Sequence, residues 1–408
     1  MNEHIVLIHV VSEQTMQNLL PLLALQPARV VQLCSQGEKY AAAARHIEAA
    51  AREAGVVAQF QSCPLQSAFP NVNETRHALK QLLSVFPDAV VNLTGGTKLM
   101  CIGAFLGAGE FPVPILYCDT DRQAFISLAQ QSLPPMPSFT ETARRLTLRV
   151  VMAAHGKAPD AWRFDTAGPA ELEFGRRAFE LRWHLRREFQ DCDYSRRVRE
   201  FFRSDKSRIP SGKARLQALC EANLLDAFHE PVPRVVRELC EAAVAAGFLE
   251  RRADGGFRVA SPRPGRDLRG HVETVANLLD GAWFELTVLD FVRRSVEFAD
   301  AHWSVEPRKT PDHKEAQSFG ETDVVCLALP QGNLQVISCK TRVEKPLEHL
   351  ESLRERSHNL GGRYAKATLA VLFVEGQQEK ELRRWGDLLG VEILIGDEVV
   401  KGKVADGK

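Results

Sequence analysis

Two groups of residues in this chain have the types and spacing to do chemistry. The run Asn92-Leu93-Thr94-Gly95-Gly96-Thr97-Lys98 sets two glycines among amide, hydroxyl and ammonium donors. Gly95 and Gly96 let backbone N–H groups approach an anion closely, and Thr94, Thr97 and Lys98 add donors of their own. That is the chemistry of a phosphate cradle. The second group is Glu285, Asp323, Ser338 and Lys340. Carboxylates hold hard cations, and an ammonium beside them stabilises a nucleophile or a developing charge, so this set suits metal-assisted phosphodiester hydrolysis.

The cradle needs a strand that ends where a helix begins. Apolar runs at Ile5–Val11, Arg29–Cys34, Val56–Phe60, Ala89–Leu93 and Val113–Cys118 alternate with helix-spaced segments Gln17–Leu25, Glu38–Ala54 and Glu74–Val85. Alternation of that kind predicts an α/β fold with a doubly wound, Rossmann-like parallel sheet, whose ligands bind beyond the carboxyl ends of the strands at helix amino termini. The cradle lies at the end of Ala89–Leu93, in that position. A second polar loop, Ser12-Glu13-Gln14-Thr15-Met16-Gln17-Asn18, follows the first strand with the same exposure. Capping by Ser12 or Thr15 is the plain alternative for that loop, as a strand-to-helix turn is for the cradle.

The second group needs a hairpin. From about residue 270 the pattern runs helix, strand, strand, helix, strand: Val272–Val292, Asp323–Leu329, Leu334–Lys340, a helix from Leu347 to the Gly361-Gly362 break, then Thr368–Val374. If Gln331-Gly332 is a two-residue turn, Pro330 faces Asn333 and Asp323 stands opposite Lys340, with Ser338 on the same face. Cys339 then points to the other face, towards the core.

Other features set bounds. A chain of 408 residues predicts two or three domains, and 45% hydrophobic with 25% charged residues is a globular balance. Net charge is zero, so any nucleic-acid surface must be local. Nine scattered cysteines without C-x-x-C spacing argue against structural zinc or a disulfide framework and fit a reducing cytoplasm. The amino terminus is wrongly built for a signal peptide, and no apolar run is long enough to span a membrane. Neither G-x-S-x-G nor H-E-x-x-H occurs, which removes support for a serine hydrolase or a zincin. His9 reads as a satisfied core or loop-end residue, and His302 and His313 as surface residues near the second group.

Ser132–Pro137, rich in proline, marks the end of the first domain. Residues from about 140 to 265 look mostly helical. They end in a piece similar to a winged helix: a helix Leu239–Gly247, strands Phe248–Glu250 and Phe257–Val259, and a turn at Asp254-Gly255-Gly256. Between residues 171 and 216, thirteen Lys/Arg stand against eight Asp/Glu, either a solvated helical face or a guide for nucleic acid.

The residues also carry a resemblance. The Ser12–Asn18 loop, Asn92–Lys98 and Tyr117-Cys118-Asp119-Thr120 resemble CARF domains, the CRISPR-associated Rossmann-fold sensors. Gly281-Ala282-Trp283-Phe284-Glu285, Glu321-Thr322-Asp323-Val324-Val325, Ile337-Ser338-Cys339-Lys340-Thr341 and Leu360-Gly361-Gly362-Arg363-Tyr364 resemble, in order, the PD-(D/E)XK nuclease domain of CARF-linked nucleases of type III CRISPR systems. The resemblance implies a sensor over residues 1–135, a helical linker with the winged-helix-like piece over 136–268, and a nuclease over 269–408. It further implies a homodimer that binds a cyclic oligoadenylate, cyclic tetra-adenylate foremost, through Ser12, Gln14, Thr15, Asn18, Asn92, Thr94, Gly95, Gly96, Thr97 and Lys98. Its substrate would be DNA or RNA. Glu285, Asp323 and the carbonyl of Cys339 would hold Mg²⁺ or Mn²⁺, with Lys340 and Ser338 completing the catalytic set. Ser338 stands where the family carries an acid. Two other expectations are a non-enzymatic sensor that binds DNA as a winged-helix regulator, and a sensor that degrades its own ligand.

Overall fold

Strand β1 (Asn2–Val10) is apolar through most of its length because both faces of its sheet are covered. It is followed by α1 (Met16–Leu25), β2 (Pro27–Cys34), α2 (Glu38–Glu53), β3 (Gln59–Pro64), α3 (Val72–Val85), β4 (Val90–Asn92), α4 (Lys98–Ala108), β5 (Ile115–Asp119) and β6 (Ala124–Ser127). In this computed structural model these strands form one sheet in the order β3-β2-β1-β4-β5-β6. The first five are parallel, as the alternation predicts, and β6 adds an antiparallel edge. The structure describes residues 2–165, 167–184, 194–203, 213–228, 231–262, 267–307, 321–329, 332–362 and 365–401.

After residues 128–138, which have no regular structure, come α5 (Phe139–Ala143), α6 (Leu148–Ala154) and a short strand, β7 (Trp162–Asp165). Helices α7 (Pro169–Glu180), α8 (Tyr194–Phe202), α9 (Lys213–Glu221) and α10 (Arg234–Ala245) follow, then the hairpin β8 (Leu249–Arg251) and β9 (Phe257–Val259). The helix and hairpin expected near residue 250 are therefore present. The helix starts at Arg234, earlier than Leu239, because Val235, Val236 and Leu239 share one buried stripe.

The last part contains α11 (Leu268–Asn277), α12 (Trp283–Arg294), β10 (Phe298–Pro307), β11 (Thr322–Ala328), β12 (Asn333–Lys340), α13 (Pro346–Gly361), β13 (Lys366–Val371), α14 (Gly376–Leu389), β14 (Val391–Ile395) and α15 (Glu398–Lys401). Its sheet runs β14-β13-β12-β11-β10-β7, so a strand from the middle of the chain closes one edge.

Two expectations need correction, and one strand lies outside them. Val272–Val292 is not one helix: a π-type turn at Leu278–Ala282 separates α11 from α12, where Gly281 takes φ +141°. β10 was not expected, because Asp300 and Ser304, both at positive φ, interrupt its alternation. The hairpin register also differs. Ala328 pairs with Asn333 and Val324 with Ile337, so the next step sets Asp323 against Ser338 rather than Lys340. Pro330 and Gln331 of the expected turn lie outside the described residues. A shift of two residues preserves which side chains share a face.

One apolar cluster runs from Leu7, Leu22 and Val151 to Val325, Val336 and Leu353, so the facing sides of the two sheets share a core. A second covers the opposite face of the second sheet, with Phe174, Leu239, Trp283, Leu286, Cys326 and Ile337. Helix α13 lies within the shared core through Leu350, Leu353 and Leu360.

Candidate functional site

The cradle is built by close packing. A Cβ on Gly95 would come within 2.3 Å of the Val10 carbonyl, and Gly96, at φ +88°, would push one to 2.4 Å from Val10 Cγ1. Only glycine fits this crossing of β1 and the loop after β4. Asn92 is fully buried and shapes the loop from below, its Oδ1 accepting from Thr94 N at 3.0 Å and Thr94 Oγ1 at 2.6 Å. Thr94 Oγ1 also accepts from Cys118 N at 2.7 Å, tying β4 to β5. Thr97 caps α4 by accepting from Met100 N at 3.3 Å, and Lys98 is exposed on the first turn.

The loop after β1 divides in the same way. Thr15 does not cap α1 with its side chain; its hydroxyl donates to Ala154 O at 2.7 Å. Asn18 is fully buried, donates to Val10 O at 2.9 Å, and sits against Gly95. Ser12 and Gln14 remain at the surface, joined by Gln14 N donating to Ser12 Oγ at 3.2 Å. The structure thus gathers Ser12, Gln14, Gly96 and Thr97 around one pocket of about 440 Å³. Thr15, Asn18, Asn92, Thr94 and Gly95 form its framework.

The second group opens on a cleft of about 610 Å³ lined by Glu285, Trp303, Glu321, Asp323, Lys340 and Arg342, among others. The turn at Gly281 redirects the chain so that Glu285 enters this cleft from the first turn of α12. Its Oε2 accepts from Trp303 Nε1 at 2.7 Å. Burial, and after it the charge of Asp323, raises the Glu285 carboxyl well above the usual carboxylate range. Asp323 Oδ2 accepts from Cys339 N at 2.6 Å, from Ser338 Oγ at 3.1 Å and from Lys340 Nζ at 3.5 Å. Glu321 accepts from Ser304 Oγ at 2.6 Å.

Ser338 is only 3% exposed and lies behind Asp323, with His349 Nε2 of α13 at 3.2 Å on its other side. The Cys339 side chain is buried in the opposite core, which pushes its thiol far up, so any role at a cation belongs to its backbone. His302 is held by Asp300 at 2.9 Å, and His313 lies outside the described residues. Trp303 and His349 were not legible as site residues, since nothing in β10 or α13 marks which side chain faces the hairpin.

Among the described residues no three His, Cys, Asp or Glu groups make a ready metal shell. The donor set nevertheless suits a hard cation. Two carboxylates of like charge, Glu285 and Asp323, meet in one cleft, and Mg²⁺-like ions bind through one or two carboxylates while keeping several waters.

Comparison with known proteins bears on both halves. Residues 6–143 match the family model described as the Card1 CARF domain. The chain therefore carries a CARF domain. No curated protein sequence matches. Among solved structures, Can2 from Sulfobacillus thermosulfidooxidans in complex with cyclic tetra-adenylate is similar at TM-score 0.64 and 17% identity, covering 98% of this chain and 97% of that one. Protein VC1899 from Vibrio cholerae gives TM-score 0.67 and 14% identity, over 98% and 96%. A type III CRISPR defence DNA nuclease activated by cyclic oligoadenylate gives 0.51 and 16%, over 91% of this chain and 46% of that one. At such identities the likeness is one of fold, and with the first two it extends over nearly the whole chain. No helix among the described residues is long and apolar enough to cross a membrane.

Proposed function

We propose that this chain is a cyclic-oligoadenylate-activated, metal-dependent nuclease of type III CRISPR defence. The observation that carries the reading is the convergence of Glu285, Asp323 and Lys340, from α12, β11 and β12, on one cleft of a protein whose residues 6–143 match the CARF domain. Cyclic tetra-adenylate, the ligand in the Can2 complex, is the activator we assign to the pocket at Gly96 and Thr97.

Glu285, Asp323 and the Cys339 backbone would hold Mg²⁺ or Mn²⁺, which when bound supplies charge stabilisation at the scissile phosphate and lowers the pKa of a water. The chain's own residues do the rest. Three donors fix the Asp323 carboxylate, Trp303 fixes Glu285, and Lys340 stabilises the attacking or departing oxygen. Arg342 on the cleft wall offers a guanidinium to the nucleic-acid backbone.

The protein acts as a homodimer in this reading. Leu99, Ile102, Phe105 and Leu106 of α4 are 44–52% exposed, a patch that a second copy would cover beside the cradle.

The test is cleavage of single-stranded and duplex DNA and RNA by the purified protein with Mg²⁺ or Mn²⁺, with and without each cyclic oligoadenylate. Activator-dependent cutting that disappears in Asp323→Ala and Lys340→Ala is expected. Ligand binding without cutting under any condition would leave the DNA-binding regulator in its place.

A further inference from the structure

The pocket at the cradle has a second wall that belongs to neither sensor loop. Opposite Ser12, Gly96 and Thr97 stand His155, His358 and Gly362. All three lie beyond residues 6–143, the span matched by the CARF family model. His155 follows α6, and His358 is on the last turn of α13, the helix packed in the core shared by the two sheets.

The two walls differ in chemistry. The sensor wall offers backbone N–H groups and hydroxyls at the start of α4, which suit phosphate. The far wall offers two imidazoles, and Tyr40 completes the rim; such rings stack on bases and hydrogen-bond to their edges. Burial lowers His155 to about 4, so near neutral pH it faces the pocket uncharged, with one donor and one acceptor nitrogen. A ligand made of adenine nucleotides has groups for both walls.

Helix α13 reaches further. His349, in its first turns, lies 3.2 Å from Ser338 Oγ, which itself donates to Asp323. His349 and His358 stand nine positions apart, about 13 Å along the axis. Leu350 and Leu353 are buried between these ends and Leu360 just beyond His358, so the helix is held as one rod.

Resting on the sensor reading given above, we propose that His155 and His358 are adenine-contacting residues of the cyclic oligoadenylate site, and that ligand contact at His358 bears on the Ser338–Asp323 pair through α13. The ligand would then touch both halves of the protein directly.

The experiment titrates cyclic tetra-adenylate into the full-length protein, its His155→Ala and His358→Ala variants and, for the sensor wall, Thr97→Ala, with thermal melting as a fold control. Hydrogen exchange of α13 amides is followed with and without saturating ligand. Both histidine variants should bind about tenfold more weakly at unchanged melting temperature. Ligand should slow exchange along α13 in the parent and not in His358→Ala. If the parent binds and Thr97→Ala weakens it while both histidine variants keep parent affinity, the second wall is rejected and the sensor reading survives. Weakened binding in the histidine variants with no ligand effect on α13 in the parent rejects the coupling. A parent that binds no cyclic tetra-adenylate overturns the sensor reading and this inference together.

Discussion

Ser338 Oγ lies between Asp323 Oδ2 at 3.1 Å and His349 Nε2 at 3.2 Å, so the residue standing where an acid was expected is a hydrogen-bond bridge. A hydroxyl has one proton. Giving it to Asp323 leaves Ser338 to accept from the imidazole N–H, which orders donor and acceptor along His349, Ser338 and Asp323. The serine orients the carboxylate from behind.

Ser338→Ala should therefore slow cleavage by roughly five- to tenfold, the worth of about 1 kcal/mol for a net hydrogen bond, with the fold intact. His349→Ala should do the same through kcat more than KM. Ser338→Asp should lower the melting temperature without metal, because a second carboxylate would be buried against Asp323, and Mn²⁺ should restore part of it. Turnover and melting curves of the three variants check this. A Ser338→Ala enzyme at parental kcat would remove the bridge from the mechanism.

Glu285 gives a prediction about pH and metal. Its carboxyl is raised in the folded protein by burial and by Asp323, so the unfolded chain loses this proton more readily. Its contribution to stability is complete below the ordinary carboxylate value of 4.5 and is lost as pH rises through the higher folded value. Metal-free parent should lose more stability between pH 5 and 9 than Glu285→Gln, and Mn²⁺ should reduce the difference by binding the ionised pair. Denaturant unfolding with EDTA or Mn²⁺ reads both effects. Parallel pH curves for parent and variant would sink the assignment.

How much of this was legible in the sequence depends on how local the cause is. The parallel sheet follows from apolar runs and helix spacing alone, and its glycine cradle from a single loop. The hairpin was half legible: alternation fixed the face that Asp323, Ser338 and Lys340 share, while the pairing depended on a loop joining Ala328 to Asn333. A difference of two residues keeps the face and changes the partner. β7, four residues long, carries too little pattern to reveal that it joins a strand far along the chain. His349 is invisible for a similar reason, since the packing that turns it to Ser338 is tertiary. In the basic stretch 171–216, Arg177 pairs with Glu173, Arg182 with Asp397 and Arg196 with Glu200, while residues 185–193 and 204–212 lie outside the described structure.

His9 was expected to be satisfied, and among the described residues neither ring nitrogen has a partner. It is fully buried in β1, and burial lowers it from 6.5 to about 3. The unfolded chain binds this proton first as pH falls, so stability drops between pH 6.5 and about 3, by up to ~1.4 kcal/mol per pH unit for this group. His9→Leu should flatten the acid limb of a urea stability curve measured from pH 6.5 to 4.5. His155 adds its own slope in that range, so the difference between parent and variant is the quantity to read. No difference in slope would mean that His9 is solvated or partnered in the native protein.

The exposed face of α4 predicts the oligomeric state. Leu99, Ile102, Phe105 and Leu106 form an apolar patch on the helix that begins at the cradle, and burying it would place two cradles side by side. Ile102→Glu puts a charge at the centre of that patch without entering the monomer core, because Ile102 is half-exposed. Light scattering should report a dimer for the parent and a monomer for the variant, with melting of the monomer little changed. Cyclic tetra-adenylate should bind the variant more weakly, since a ligand shared across a twofold loses half its contacts when the partner is gone. A variant that stays dimeric places the interface elsewhere, and a monomeric parent with full activator-dependent cleavage removes the need for a partner.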